Sequence, residues 1–207
     1  MNIRLILIFL LFSGSLYGQF EQPTAVDGIE FIAPPQANNR GSAALTFPLQ
    51  LPPGRQGMEP ELTINYDSDN TSGWLGLGWS LELPAITIDT RWGVPRYAAT
   101  IETESYVYAG QALYPLAHRG EERERTAEAR FYPRVESAFE KIIRHGDHPS
   151  NYWWEVTDKD GTRYFYGGTP ETGLLAEATL TTASGAIAHW ALTRIIDTSG
   201  NRIGYFY

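Results

Sequence analysis

The sequence predicts an all-β fold of short antiparallel strands and hairpins, with at most one short helix. Three observations carry this. Aromatic residues make up 13% of the 207 residues, including 12 Tyr and 6 Trp, and flat rings pack well across a pleated, half-buried surface. Apolar residues alternate strictly at Ala43, Leu45, Phe47, Leu49 and Leu51, the period-2 mark of a strand with one buried face. Clusters of Asp, Asn, Gly and Pro punctuate the chain so densely that few stretches could sustain a helix.

The first residues read as an export signal. Arg4 supplies a cation, residues 5–12 (LILIFLLF) form an apolar run, and the small residues of 13–18 lead to a cleavage site. Cleavage after Gly18 leaves Gln19 at the new terminus; cleavage after Ser15 is the alternative. The apolar run is too short to span a bilayer as a mature helix. No Cys follows it for lipid attachment. The expected location is therefore secreted or cell-surface, with 1–18 a signal peptide and no stable membrane anchor. Residues 19–40, rich in Pro, Gln and Asn, read as an extended leader.

From residue 41 the elements follow in order. Pro48 within the first alternating run cannot donate a ladder hydrogen bond, which predicts an edge strand or a bulge. Pro52, Pro53, Gly54 and Arg55 then open a turn, and Leu62, Ile64 and Tyr66 alternate again as a neighbouring strand. After the turn cluster at 67–73 (DSDNTSG), Trp74, Gly76, Gly78 and Trp79 set glycines between large apolar groups. That pattern suits backbone lying close to backbone under indole rings. Leu81/Leu83 and Ile86/Ile88 continue as short strands around Pro84. Trp92, Gly93, Pro95, Arg96 and Tyr97 close the first half, and 106–108 is a further strand. Residues 119–130 read either as a helix with Glu121 and Arg125 one turn apart or as a solvated charged loop.

The last third repeats itself. Trp154 leads a strand through Asp158 and Gly161 to Tyr164-Phe165-Tyr166; Trp190 leads another through Asp197, Gly200 and Asn201 to Tyr205-Phe206-Tyr207. Each reads as an aromatic-led strand, an Asp/Gly turn and a Tyr-rich return, placing hairpins near 152–167 and 189–207. The chain stops on bare aromatics inside the second return, which reads as a truncated frame.

Residues 41–97 resemble the N-terminal domain of the virulence-plasmid B protein family (SpvB-type), which also opens the B subunits of insecticidal toxin complexes. The matching stretches are 48–55 (PLQLPPGR), Pro60-Glu61-Leu62, Tyr66-Asp67-Ser68, 73–79 (GWLGLGW) and 93–97 (GVPRY). The two Trp-to-Tyr hairpins resemble Rhs/YD repeats, above all Asp197-x-x-Gly200-Asn201-Arg202. The resemblance implies that 41–207 is one β domain forming part of a hollow shell around a C-terminal payload. It implies a wall that does no chemistry, and partners that are later segments of a longer polypeptide or a partner subunit.

Composition and motifs agree with a non-enzymatic role. With 16 Lys plus Arg against 24 Asp plus Glu, the formal charge is −8, which repels nucleic-acid backbones, and no polybasic segment offers a hold on anionic membranes. The absence of Cys removes disulfides, thiolate catalysis and Cys-based zinc sites. Asp67-Ser68-Asp69 lacks the glycine and glutamate of a calcium loop and reads as a turn. His145-Gly146-Asp147-His148 reads as a polar loop rather than a metal site. Glu102-Thr103-Glu104 matches the Glu-x-Glu pair of ADP-ribosyltransferase payloads, but no partner acid, base or nicotinamide pocket can be named. The Gly76/Gly78 pair is no dinucleotide fingerprint, because the third position is Leu81. No nucleophile elbow or phosphate loop occurs, so no catalytic residue, metal or cofactor is expected. The alternative is a cell-surface carbohydrate-binding or adhesive β-sandwich in which Tyr152, Trp153 and Trp154 stack on sugar rings. Alternation requires Trp153 and Trp154 to point to opposite faces.

Overall fold

A computed structural model describes residues 36–37 (backbone), 41–73, 75–115, 121–135 and 138–207. The signal segment, most of the leader and Trp74 lie outside the described residues. The strands are β1 Gln36–Ala37, β2 Ala43–Leu49, β3 Leu62–Asp67, β4 Ser72–Gly73, β5 Gly76–Leu77, β6 Trp79–Leu81, β7 Ala85–Ile88, β8 Tyr106–Tyr108 and β9 Gln111–Pro115. They continue as β10 Glu128–Pro133, β11 Lys141–His145, β12 Trp153–Thr157, β13 Arg163–Tyr166, β14 Gly168–Thr169, β15 Gly173–Leu174, β16 Thr179–Thr181, β17 Ile187–Ile196 and β18 Arg202–Gly204. The all-β expectation holds, and the helical elements among the described residues are two single turns of 3-10 helix.

The helix reading of 119–130 is corrected. Within its described part, residues 121–127 are irregular and 128–130 begin β10. Arg125 does not reach back along a helix; it crosses to Glu104, and this buried partner outweighs the weak helical preference of an exposed charged run.

The first sheet runs β1-β2-β3-β6. β1 reaches only Ala43 and Ala44 of β2, so Pro48 sits where β2 has an open edge among the described residues. Register puts Leu45 opposite Tyr66, Phe47 opposite Ile64 and Tyr66 opposite Trp79, all on one face. The Trp79 ring lies 5.0 Å from Tyr66 and 5.8 Å from Phe47. These residues are only half-buried. Gly78, at φ +81°, is the close approach the sequence suggested: a Cβ there would lie 2.6 Å from the Tyr66 ring and 2.9 Å from the Asp67 carbonyl oxygen.

The larger sheet closes on itself. β7 through β13 form an antiparallel meander in sequence order, and β17 pairs with both β7 and β13. The Leu192 N–H donates to the Pro84 carbonyl at 3.1 Å, while the Ala191 carbonyl accepts from the Gly167 N–H at 2.8 Å. Adjacent residues of a strand direct their backbone groups to opposite edges, so β7 and β13 lie on opposite sides of β17. The ring is β7, β8, β9, β10, β11, β12, β13 and β17, eight strands in all. An eight-stranded barrel is just narrow enough for side chains to fill it.

Four aromatic residues fill it here. Tyr106, Phe131, Trp154 and Trp190 come from β8, β10, β12 and β17, every second strand around the ring, and each is at most 1% exposed. Their rings meet edge to face at 4.7–5.8 Å, with Tyr106 and Trp154 touching each other and both remaining rings. Such pairs add roughly 0.5–1.5 kcal/mol beyond their burial. The intervening strands supply Ile86, Leu113, Ile142 and Tyr166, all buried. Outward positions include the exposed Glu128, Arg130, Lys141 and Arg163, the inverse of a lipid-facing barrel.

Connections at the two ends differ. Long segments leave at one end, between β7 and β8, β9 and β10, and β13 and β17. At the other, β8–β9 and β12–β13 turn tightly, as does β17–β18 beside them. The two Asp/Gly turns match: Asp158 N–H to Thr162 O at 2.9 Å and Gly161 N–H to Asp158 O at 3.0 Å recur as Asp197 to Asn201 and Gly200 to Asp197, both at 3.1 Å. Gly161 and Gly200 sit at φ +90° and +83°, the left-handed position such loops require.

Two outcomes follow. Gly78→Ala should lower unfolding free energy by about 2–4 kcal/mol, combining the left-handed penalty with a clash against backbone, measured by urea denaturation followed by Trp fluorescence. His189, half-buried on β17, has its pKa lowered by burial. Its neutral form is favoured in the folded state, so the unfolded chain binds the extra proton and stability falls as pH drops through about 6.5. Denaturation at pH 7.5 and 5.5 should show this loss in the native chain and a smaller loss in His189→Gln.

Candidate functional site at the two ends of the barrel

One end is sealed by charge. Residues 98–105 and 121–127 run antiparallel through the Ile101–Glu124 bridge, with Glu102 N–H to Arg123 O at 2.8 Å and Arg125 N–H to Thr100 O at 3.1 Å. This register sets Glu102 opposite Arg123, whereas Arg125 falls opposite Thr100 and reaches Glu104 with its side chain. Glu102 also bonds Arg144, which points inward from β11 and is wholly buried. Its other oxygen lies 2.8 Å from Arg123. Arg125 holds Glu104 with two bonds, at 2.7 and 3.0 Å, and donates to the Tyr152 hydroxyl at 2.6 Å and the Ala98 carbonyl at 2.8 Å. The Arg144 guanidinium lies 3.9 Å from the centre of the Tyr152 ring, and its second amino group donates to the Thr126 carbonyl at 2.9 Å. Burial pushes the Tyr152 hydroxyl pKa up.

The Glu-x-Glu pair is thus committed to structure. Both carboxylates are 1% exposed and engaged by arginines, leaving neither free to face a substrate. Sequence reasoning missed the three arginines. The available signal was the shared i, i+2 spacing of Glu102/Glu104 and Arg123/Arg125, two extended segments with complementary charge.

The other end is open. A cavity of about 550 Å³ lies where the tight turns gather. Tyr108, Tyr164, Tyr166 and Tyr205 supply ring surface to it, with Leu192 and Pro84. Tyr108 and Tyr166 meet edge to face at 5.8 Å, and burial pushes the Tyr108 hydroxyl up to about 12. The carboxylates on its wall are Glu59, Glu61, Glu140, Asp158 and Asp197.

The motif residues fall into distinct places. The Gly54 N–H closes its turn onto the Met58 carbonyl at 3.1 Å, in the loop that follows Pro52 and Pro53 and includes Arg55. In the same loop, Gln56 accepts from Asn201 at 3.2 Å, so the first motif meets the second hairpin turn across 145 residues. Asn201 also donates to Asp197 at 2.6 Å. Trp79 opens β6 of the small sheet, Gly78 is the turn residue just before it, and Gly76 lies in β5. Trp154 and Trp190 are core, the Trp190 indole donating to the Tyr152 carbonyl at 2.6 Å. Pro95 and Arg96 lie on an outer loop, and Tyr97 packs against the barrel core. In that loop Trp92 and Val94 are 92% and 81% exposed, held by a two-bond Arg91–Asp89 pair at 2.7 and 2.9 Å.

The remaining candidates resolve as turns and packing. Asp67 accepts from the Asp69 N–H at 2.9 Å. Asp147 accepts from Asn151 at 2.8 Å, and His148 pairs with Ser150 at 2.8 Å. Among the described residues no group of three His, Asp or Glu side chains is placed to share a metal ion. Trp154 is buried, and one face of Trp153 is stacked on His145 at 4.0 Å.

Residues 37–207 match the family model described as Salmonella virulence plasmid 65kDa B protein, SpvB. The chain belongs to the SpvB family. Its fold recurs in the TcdB2-TccC3 structure, with a TM-score of 0.62 and 26% identity over 80% of this chain. It recurs in the N-terminal domain of effector protein SpvB from Salmonella typhimurium strain LT2, at 0.61 and 24% over 78%. The Photorhabdus luminescens Tc holotoxin pore carries it at 0.63 and 23% over 89%. This SpvB-family chain spans 8%, 53% and 9% of those chains. No curated protein matches it.

Arg125→Met strands the buried Glu104 carboxylate and should cost about 3–5 kcal/mol, whereas the double change Arg125→Met with Glu104→Met should recover much of that. Urea denaturation of the three proteins measures both.

Proposed function

We propose that this chain is a non-catalytic structural module of an exported toxin-complex-like protein, forming wall that encloses or delivers a C-terminal payload. The observation that carries this is the contrast between its two β units. The barrel buries its own core almost completely, while the small sheet leaves the face of Phe47, Tyr66 and Trp79 half-buried. Half-covered apolar faces with open strand edges are surfaces for further polypeptide. The exposed Trp92 and Val94 add an apolar tip on a pinned loop. The small share of the toxin chains that this fold occupies supports a part within a larger body. The barrel interior supports a wall rather than an enzyme, since aromatic side chains and paired charges fill it.

Export rests on the n-region, the apolar run and the small-residue stretch of 1–18. N-terminal sequencing of secreted material should begin at Gln19 or Leu16, and material beginning at Met1 would refute export. For the wall role, hydroxyl-radical labelling should oxidise Trp79 and Trp92 strongly in the isolated chain. Both should be protected in the longer polypeptide or its complex, and equal labelling in the two states would sink the reading.

A further inference from the structure

The open end of the barrel has the composition of a receptor for an organic cation. Its cavity, about 550 Å³, lies within the range of small-molecule sites and far exceeds what a bare ion needs. Four tyrosines supply its ring surface, and the π face of an aromatic ring attracts positive charge. Five carboxylates share the wall, and none of the described lining residues is cationic. Among the described residues none of these five carboxylates forms an ion pair, in contrast to the sealed end, where Glu102 and Glu104 are each held by arginine.

Two features narrow the ligand. The described acids are too dispersed for three of them to share a metal ion, which favours a diffuse charge over a hard point charge. Tyr166 and Leu192, both at most 1% exposed, add buried apolar surface, which favours a cation carrying carbon. Glu140, beside the Tyr108 hydroxyl at 3.4 Å, has its pKa raised by burial, consistent with a carboxylate lacking a counter-charge. We propose that this cavity binds an alkylammonium or guanidinium group, seated against Tyr108, Tyr164 and Tyr205 and neutralised by Glu140 and Asp158. This goes beyond the wall role and stands or falls separately from it.

The group could belong to a free amine or to a Lys or Arg side chain of a polypeptide, and the test separates them. The 207-residue chain is titrated with tetramethylammonium and, separately, with N-acetylarginine amide, following tyrosine ring resonances by NMR. Saturable binding is expected, with shifts centred on Tyr108, Tyr164 and Tyr205 and weakening as salt is raised. Glu140→Gln and Tyr164→Leu should each weaken it by about tenfold, and neopentyl alcohol, a neutral mimic of tetramethylammonium, should not bind. Tyr205→Leu, near the end of the chain, serves if Tyr164→Leu fails to fold. Tighter binding of the arginine derivative assigns the site to a polypeptide side chain, and the reverse assigns it to a free amine. No saturable binding of either cation, equal binding of the neutral mimic, or affinity unchanged in every folded variant overturns the proposal.

Discussion

The barrel stands on the pairing of β17 with strands from both ends of the meander. Trp190 sits opposite Ile86 of β7, and Leu192 opposite Tyr166 of β13. This closure joins residues separated by about half the chain, and it removes the two edges that an open seven-strand meander would expose. It also creates the enclosed space in which Trp190 can touch Tyr106 and Trp154. Without closure those rings would lie on an open, strongly twisted sheet, and much of their burial would be lost.

Closure explains why the two ends of the barrel diverge. A closed barrel must still cover its mouths. At one, the long connections fold across and bring carboxylates and arginines into a water-poor space. Charges there are tolerable only when paired, because an unpaired buried ion costs several kcal/mol. At the other, the tight Asp/Gly turns leave a cavity, rimmed by Asp158 and Asp197 of those turns, by Glu140, by Glu59 and Glu61 of the loop before β3, and by tyrosines. One topology thus produces a sealed ionic end and an open acidic one.

The ion-paired end also shows how a motif can mislead. Glu102-Thr103-Glu104 in isolation fits a transferase signature. In the fold each carboxylate is held by arginine, and a wholly buried Arg144 locks the first of them against the barrel wall. Two glutamates one residue apart mean little until the strand facing them is known. Here the facing segment sets Arg123 opposite Glu102 and sends the Arg125 side chain across to Glu104.

Local features were legible from sequence because they depend on neighbours in the chain. The alternation from Ala43, the tight place at Gly78 and the two Asp/Gly turns each follow from period-2 patterning or from backbone angles that one residue type favours. The opposite orientation of Trp153 and Trp154 is read the same way, although only the fold shows that Trp154 is the one inside. Ring closure, the partners of Arg125, the contact of Gln56 with Asn201 and the tyrosine-lined cavity were decided by the tertiary structure. Each joins segments tens of residues apart, and charge or aromaticity alone does not say which distant partner a side chain will meet. The sequence by itself determined that this chain makes strands and where they turn; the fold decided which strands close the ring, and therefore which charges are silenced and which are left to face solvent.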